Sequence, residues 1–263
     1  MSFNPNPIGV FDSGIGGISV LKHINTLMPN EHLIYVADSL HAPYGGKSAQ
    51  EIQARCFSLA DFLISRNVKA LVVACNTATA AAIKALRAHY TLPIIGMEPA
   101  VKPAVLASKK GVIGVLATTG TLKSAQFAAL LENYGRHVKI VTQGCAGLVE
   151  CIERGELNAT PTRQLLEKYM EPLLTEGADT IVLGCTHYPF VKPVIQEIAG
   201  DKITLVDTGA AVAKQLQRQL GEHQLFAPEN QASKIIFWTN SSSPNAKDII
   251  ENLWGNVIDL QHF

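Results

Sequence analysis

Two cysteines in this sequence hold the same place in the same short phrase. Leu71-Val72-Val73-Ala74-Cys75-Asn76-Thr77 is matched by Ile181-Val182-Leu183-Gly184-Cys185-Thr186-His187. In each, an apolar run leads to a small residue, a cysteine and two hydrogen-bonding residues. Two thiols on opposite sides of one weakly acidic C–H would invert a stereocentre. One thiolate removes the proton from one face, and the opposite thiol returns a proton to the other. In the reverse direction the two exchange roles. Such acid–base work is most effective when the group's pKa lies near the working pH. A free thiol titrates at about 8.5, and a helix N-terminus or a positive neighbour lowers that value. Both cysteines are expected directly before a helix start, where N–H groups and the helix dipole favour a thiolate. Asn76 and Thr77, like Thr186 and His187, suit a carboxylate or an ammonium group. His187 is also placed to relay or stabilise charge beside Cys185.

The elements that must position these residues follow from the hydrophobic pattern. An unbroken apolar run reads as a buried parallel strand. Its C-terminal end is where open α/β sheets hold their ligands. Strands are expected over 8–11, 33–36, 71–74, 93–96, 112–116, 138–142, 181–184, 203–206 and 234–238, with a short one near Val257. Helical stretches fall between them, which predicts an α/β protein with parallel sheets. Ser48, with Glu51 three residues on, predicts a capping box for a helix reaching about Arg66. A helix is expected after Thr121, reaching about Tyr134, and helical structure over 145–153. Thr160 is expected to cap a helix that starts at Pro161.

The pattern restarts after Glu98-Pro99. Ile8-Gly9-Val10-Phe11 resembles Ile113-Gly114-Val115-Leu116 at an offset of 105 residues. The cysteines repeat at 110, and Ala100-Val101 repeats as Ala211-Val212 at 111. Three blocks in one order at nearly constant offset imply two similar α/β units. A pseudo-twofold axis would relate them and set the cysteines face to face across an interdomain cleft.

Composition excludes other classes. Of 263 residues, 47% are hydrophobic and 17% charged, with zero formal net charge. That describes a compact globular chain without a polybasic run, so neither nucleic acid nor a membrane surface is an expected partner. No apolar run approaches the roughly 18 residues of a membrane span. Residues 1–7 show no basic region followed by an apolar core, so no signal peptide is expected. Five scattered cysteines, none at zinc-finger spacing, fit free thiols in a reducing cytoplasm and no metal site.

The same residues have plainer readings. A cysteine at a buried strand end is commonly a small core residue. Cys56, Cys145 and Cys151 have no counterparts and read as packing. Asp12-Ser13 would serve as a helix cap as readily as a ligand. The loop around Tyr44 would be ordinary surface, and His187 a satisfied core histidine. Gly14-Ile15-Gly16-Gly17 does not fit the dinucleotide pattern G-x-G-x-x-G.

Taken together, however, the motifs resemble those of the bacterial glutamate racemases. The resemblance rests on Phe11-Asp12-Ser13-Gly14-Ile15-Gly16-Gly17, Pro43-Tyr44-Gly45, Cys75-Asn76-Thr77-Ala78-Thr79 and Gly184-Cys185-Thr186-His187-Tyr188-Pro189. Ala117-Thr118-Thr119-Gly120-Thr121 and Asp207-Thr208-Gly209-Ala210 extend it over most of the chain. It implies a cofactor-independent enzyme interconverting L- and D-glutamate, which supplies D-glutamate for peptidoglycan and so for the cell wall and cell shape. Cys75 would remove the proton of D-glutamate with help from Asp12. Cys185 would remove that of L-glutamate with help from His187 and Glu153. Asp12, Ser13, Pro43, Tyr44, Gly45, Asn76, Thr77, Thr118, Thr121, Thr186 and His187 would surround the substrate. The chain would act as a cytoplasmic homodimer, with residues 1–97 and 208–263 in one domain and 98–207 in the other. The resemblance predicts a proline where Ala146 stands, which leaves the register of Glu153 open. With seven residues before Ile8, activation through an N-terminal extension is not expected. Inhibition of DNA gyrase, a second role in some relatives, is not legible in these residues. Single-thiol decarboxylases, aspartate or hydantoin racemases, and a non-catalytic amino-acid binder are the competing readings.

Overall fold

The computed structural model describes residues 3–263. Met1 and Ser2, part of the stretch read for a leader, lie outside the described residues. The chain opens with β1 (Ile8–Asp12), α1 (Ile18–Leu27), β2 (Leu33–Ala37), α2 (Ala49–Ile64), β3 (Ala70–Val73), α3 (Asn76–His89) and β4 (Ile94–Ile95). It continues through α4 (Val101–Ala107), β5 (Val112–Ala117), α5 (Thr119–Leu122), α6 (Ala125–Tyr134), β6 (Lys139–Gly144) and α7 (Leu148–Glu153). Then come α8 (Thr160–Thr175), β7 (Thr180–Gly184), α9 (Lys192–Ala199), β8 (Thr204–Val206) and α10 (Gly209–Glu222). It ends with β9 (Ile235–Thr239), α11 (Ala246–Trp254) and β10 (Asp259–His262).

These strands form two sheets, and every pairing is parallel. One sheet runs β10-β9-β2-β1-β3-β4 and the other β6-β5-β7-β8. The strands β2-β1-β3-β4 and β6-β5-β7-β8 have the same order, counted from β1 and from β5. The repeat in the sequence is therefore a repeat of topology. The last two strands return to extend the first sheet alone.

Both faces of each sheet are covered, which is why the strands read as continuous apolar runs. Val10, Tyr35 and Val72 pack with Leu21 and Ile24 of α1 and Leu216 of α10. Phe11, Val36 and Val73 face the other way, toward α2 and α3. In the second sheet, Ile181 and Leu183 pack on α8, while Ile113 and Val115 pack with Val101 of α4 and Phe127 of α6. Helices on both faces, with order 2-1-3-4, place a crevice at the C-terminal ends of the first and third strands. Asp12 ends β1, Cys75 follows β3, Ala117 ends β5 and Cys185 follows β7.

Several local expectations are refined. The Ser48–Glu51 capping box is present. The expected helix to Tyr134 is broken into α5 and α6, because Ser124 caps α6 by accepting from Phe127 N. The helix expected over 145–153 begins at Leu148, after Gly147 at φ 84°. Thr160 does not cap α8 but lies inside its first turn, after Ala159, which offers no side-chain acceptor. Asp12 and Ser13 do not cap α1 either, since Gly17 occupies that position.

Candidate active site

Cys75 and Cys185 line one small cavity, one arriving from each sheet. Ser13, Pro43, Tyr44, Gly45, Asn76, Thr77, Thr118, Thr186 and His187 line it too, together with Val149 and Gly184. Both thiols are buried, at 5% and 7% exposure. The enclosed space is only about 10 Å³, close to the least that holds one water. A larger hollow of about 750 Å³ adjoins it through Pro43, Gly45, Thr77, Thr118 and Val149. That hollow is the mouth of the site rather than its chemical centre, since neither Cys75 nor Cys185 lines it.

The two thiols differ in their company. Cys75 is the N-cap of α3, where its sulfur accepts from Ala78 N at 3.4 Å. Its Sγ lies 3.7 Å from Ser13 Oγ. Behind it lies Asp12, wholly buried, whose Oδ1 accepts from Ser13 N at 2.5 Å. Burial, and after it the Asp12 carboxylate, push the Cys75 thiol well above its ordinary range. Burial likewise raises Asp12, against the lowering influence of His187.

Cys185 does not precede an α-helix, contrary to the sequence expectation. Thr186 and His187 form a turn that leads into a 3-10 segment, Tyr188–Val191. Cys185 therefore has no helix end to favour its thiolate. Its partner is His187 instead, with Nδ1 at 3.7 Å from Sγ. The other ring nitrogen, Nε2, lies 2.6 Å from Glu153 Oε1. Burial opposes a charged imidazole, but hydrogen bonds to Cys185 and Glu153 outweigh it and hold His187 well above its usual value. Glu153 thus meets His187 directly. Its Oε1 also accepts from Ile15 N at 2.8 Å, and its Oε2 from Ser39 Oγ at 3.0 Å.

The two sets are joined. Thr186 Oγ1, next to Cys185, donates to Asp12 Oδ2 at 3.0 Å. Thr77 Oγ1 lies 2.8 Å from Thr118 Oγ1 and 3.1 Å from Thr121 Oγ1, a hydroxyl cluster spanning the two sheets. Among the described residues, both polar atoms of the Asn76 amide are buried without a hydrogen-bond partner. An unpaired buried amide costs about 1–3 kcal/mol, so this one is suited to a polar ligand in the cavity. Asp12, Glu153 and Thr121 do not line the cavity but stand behind residues that do. Tyr44 lines it, yet its hydroxyl donates to Asp38 Oδ2 at 2.5 Å.

Sequence reasoning passed over three features. Asp38 gathers Tyr44, Arg55 and Asn240 around one carboxylate and so fixes the 43–46 loop. Its place at the end of β2 was the available signal. Ser39 and the Ile15 N–H hold Glu153, and nothing local announces that. The turn glycines are the third. A Cβ on Gly14 would stand 1.9 Å from Glu153 Oε1, and one on Gly16 would stand 2.2 Å from His187 Nδ1. Only a bare backbone admits the second sheet's residues this closely. Burial pushes the thiols of Cys56 and Cys145 up to about 12, and Cys145 also lines the larger hollow.

Two like α/β units closing on a pair of buried thiols define an enzyme of the amino-acid racemase class. The chain belongs to the Asp/Glu/Hydantoin racemase family, whose model matches residues 8–216. It is 54% identical over 264 residues to a glutamate racemase of Ectopseudomonas mendocina, covering 100% of both chains. A crystal structure of a Bacillus anthracis glutamate racemase isoform superposes with a TM-score of 0.88 at 33% identity, covering 98% of this chain and 97% of that one. The Escherichia coli glutamate racemase in complex with L-glutamate superposes at 0.87 with 32% identity, covering 98% of each.

Proposed function

We propose that this protein is a glutamate racemase that interconverts L- and D-glutamate by a two-thiol mechanism. One observation carries the reading: two buried thiols, one from each sheet, line a single cavity. Its family membership and its likeness to glutamate racemases supply the substrate. Cys185 takes the α-proton of L-glutamate while Cys75 delivers one to the opposite face, giving D-glutamate, and D-glutamate returns to L-glutamate by the reverse assignment. Asp12 assists Cys75, and His187 with Glu153 assists Cys185. Ser13, Asn76, Thr77, Thr118 and Thr186 hold the substrate's carboxylates and ammonium, with Pro43, Tyr44 and Gly45 shaping the wall. Thr121 keeps Thr77 and Thr118 in place. The chemistry needs no group beyond the chain's own side chains. We assign residues 1–97 and 208–263 to one unit and 98–207 to the other, a division supported by which strands share a sheet. The D-glutamate would serve peptidoglycan synthesis, with the enzyme acting as a cytoplasmic homodimer.

The test is isotopic. In deuterated water the purified protein should convert either enantiomer to the other with deuterium at the α-carbon, and aspartate should be left unchanged. Cys75→Ala and Cys185→Ala should each lose racemisation by at least about 10³-fold, since each removes a proton-transferring group. Full turnover in either variant would overturn the two-thiol reading. Glutamate binding without exchange would favour a binding protein.

A further inference from the structure

A racemase that uses two thiols has a reloading problem. After L is converted to D, the proton taken from substrate remains on Cys185, and Cys75 has lost its own. The next turnover in that direction requires Cys185 to give up its proton. Cys185 is buried, and the cavity it shares with Cys75 is occupied by product until release. Cys185 also lines a cavity of about 40 Å³ beside Ser19, His23 and Asp207, but among the described residues its sulfur has its hydrogen-bond contact with His187 and none there.

Behind Glu153 lies a separate cavity of about 20 Å³, whose polar side is formed by Ser39, Glu153, Thr239, Ser241 and Ser243 and whose remaining wall is apolar. That is room for one water, and a water needs such polar partners. Most of its polar lining is hydroxyl. It reaches from the buried Thr239 to the exposed Ser243. At its inner end Glu153 Oε2 accepts from Ser39 Oγ, while Oε1 faces His187 Nε2 at 2.6 Å. His187 Nδ1 in turn faces Cys185 Sγ at 3.7 Å. The Cys185 sulfur, His187 and Glu153 therefore stand in series, and Glu153 ends that series at a cavity whose hydroxyls extend to the surface. Among the described residues the Cys75 set has no such continuation: Asp12 is wholly buried, and its partners are Ser13 and Thr186.

We propose that Cys185 exchanges its proton with solvent through His187, Glu153 and the hydroxyl-lined cavity, so that this side of the site is its proton exit. The proposal rests on the two-thiol reading above. With Cys185 protonated, the thiolate that favours a charged imidazole is gone and His187 carries its proton on Nε2 alone, so the Sγ–H proton moves to Nδ1 as the Nε2 proton moves to Glu153 Oε1. The carboxyl then releases a proton to water in the cavity. One proton enters the series and one leaves it, and no electrons are transferred. Thr239 and Ser243 act through the water they hold, as positioning residues.

The experiment compares Thr239→Val/Ser243→Val with the parent enzyme and with Thr239→Ser, which keeps the hydroxyl. kcat/KM reports the already loaded enzyme, whereas kcat includes reloading. The double variant should keep kcat/KM within about twofold while kcat falls by about fivefold or more. Its solvent deuterium effect on kcat should grow, and imidazole buffer should restore kcat by carrying the proton. Thr239→Ser should behave as the parent. Ser243→Val alone changes an exposed residue and should show the same effects in weaker form, which keeps the test open if the double variant does not fold. Unchanged kcat and isotope effect would overturn the proposal, as would equal losses in kcat and kcat/KM without imidazole rescue. An inactive parent would instead overturn the two-thiol reading.

Discussion

At the scale of single residues, the two thiols are bound by a constraint that no side chain can escape. The enantiomers of glutamate have equal free energy, so kcat/KM must be equal in both directions, at every pH and in every variant. A substitution beside one cysteine therefore lowers kcat/KM for both substrates and shows its side only in how kcat and KM divide. On the two-thiol mechanism proposed above, the productive enzyme carries one proton on the pair of thiols. Cys75 holds its proton to higher pH than an ordinary thiol, whose usual value is about 8.5, because burial and then Asp12 disfavour its thiolate. A raised pKa means the proton is kept as pH rises, so the alkaline limb of kcat/KM should lie above that value. Asp12→Asn removes the neighbouring negative charge. It should move the limb to lower pH and reduce kcat/KM by about 10²-fold, read from rate profiles of the parent and the variant. An unmoved limb would mean that Cys75 does not feel Asp12. The sequence singled out the thiols because they repeat. It could not reveal that Asn76 lies unpaired at the cavity, or that Tyr44 turns its hydroxyl to Asp38, since both depend on neighbours distant along the chain.

At the scale of elements, the strands were legible and their junctions were not. A run such as Leu71-Val72-Val73 is apolar because helices cover both of its faces, and that pressure is written into every position. A turn is decided by one or two residues. The expected cap at Thr160 missed by one position, and α8 starts after Ala159, whose extended backbone at φ −69° and ψ 153° suits a capping side chain. Ala159→Asp should stabilise the protein by about 1 kcal/mol, measurable by denaturant unfolding, with activity unchanged. The turn after β1 carries the opposite lesson. Its glycines look like ordinary loop residues until His187 and Glu153 arrive from the other sheet. His187 is held between Cys185 and Glu153 and has no room to retreat. Gly16→Ala should therefore displace the imidazole and lower kcat/KM by about 10²-fold. Gly46→Ala, where a Cβ would meet nothing within 4 Å, should leave it unchanged.

At the scale of the whole molecule, the duplication was readable from constant offsets, and the sheet orders repeat it. The way the halves lock was not, because Thr77 with Thr118, Asp12 with Thr186, and Ile15 with Glu153 meet only after folding. These bonds close the halves on a space of about 10 Å³. Glutamate is far larger than one water, so the closed form can neither admit it nor release it. Every catalytic cycle must then widen this space enough to pass an amino acid. That makes the enzyme a clock as well as a catalyst. A thiol-alkylating reagent reaches Cys75 and Cys185 only during an opening. Its labelling rate, at saturating reagent and without substrate, counts how often the unliganded molecule breathes.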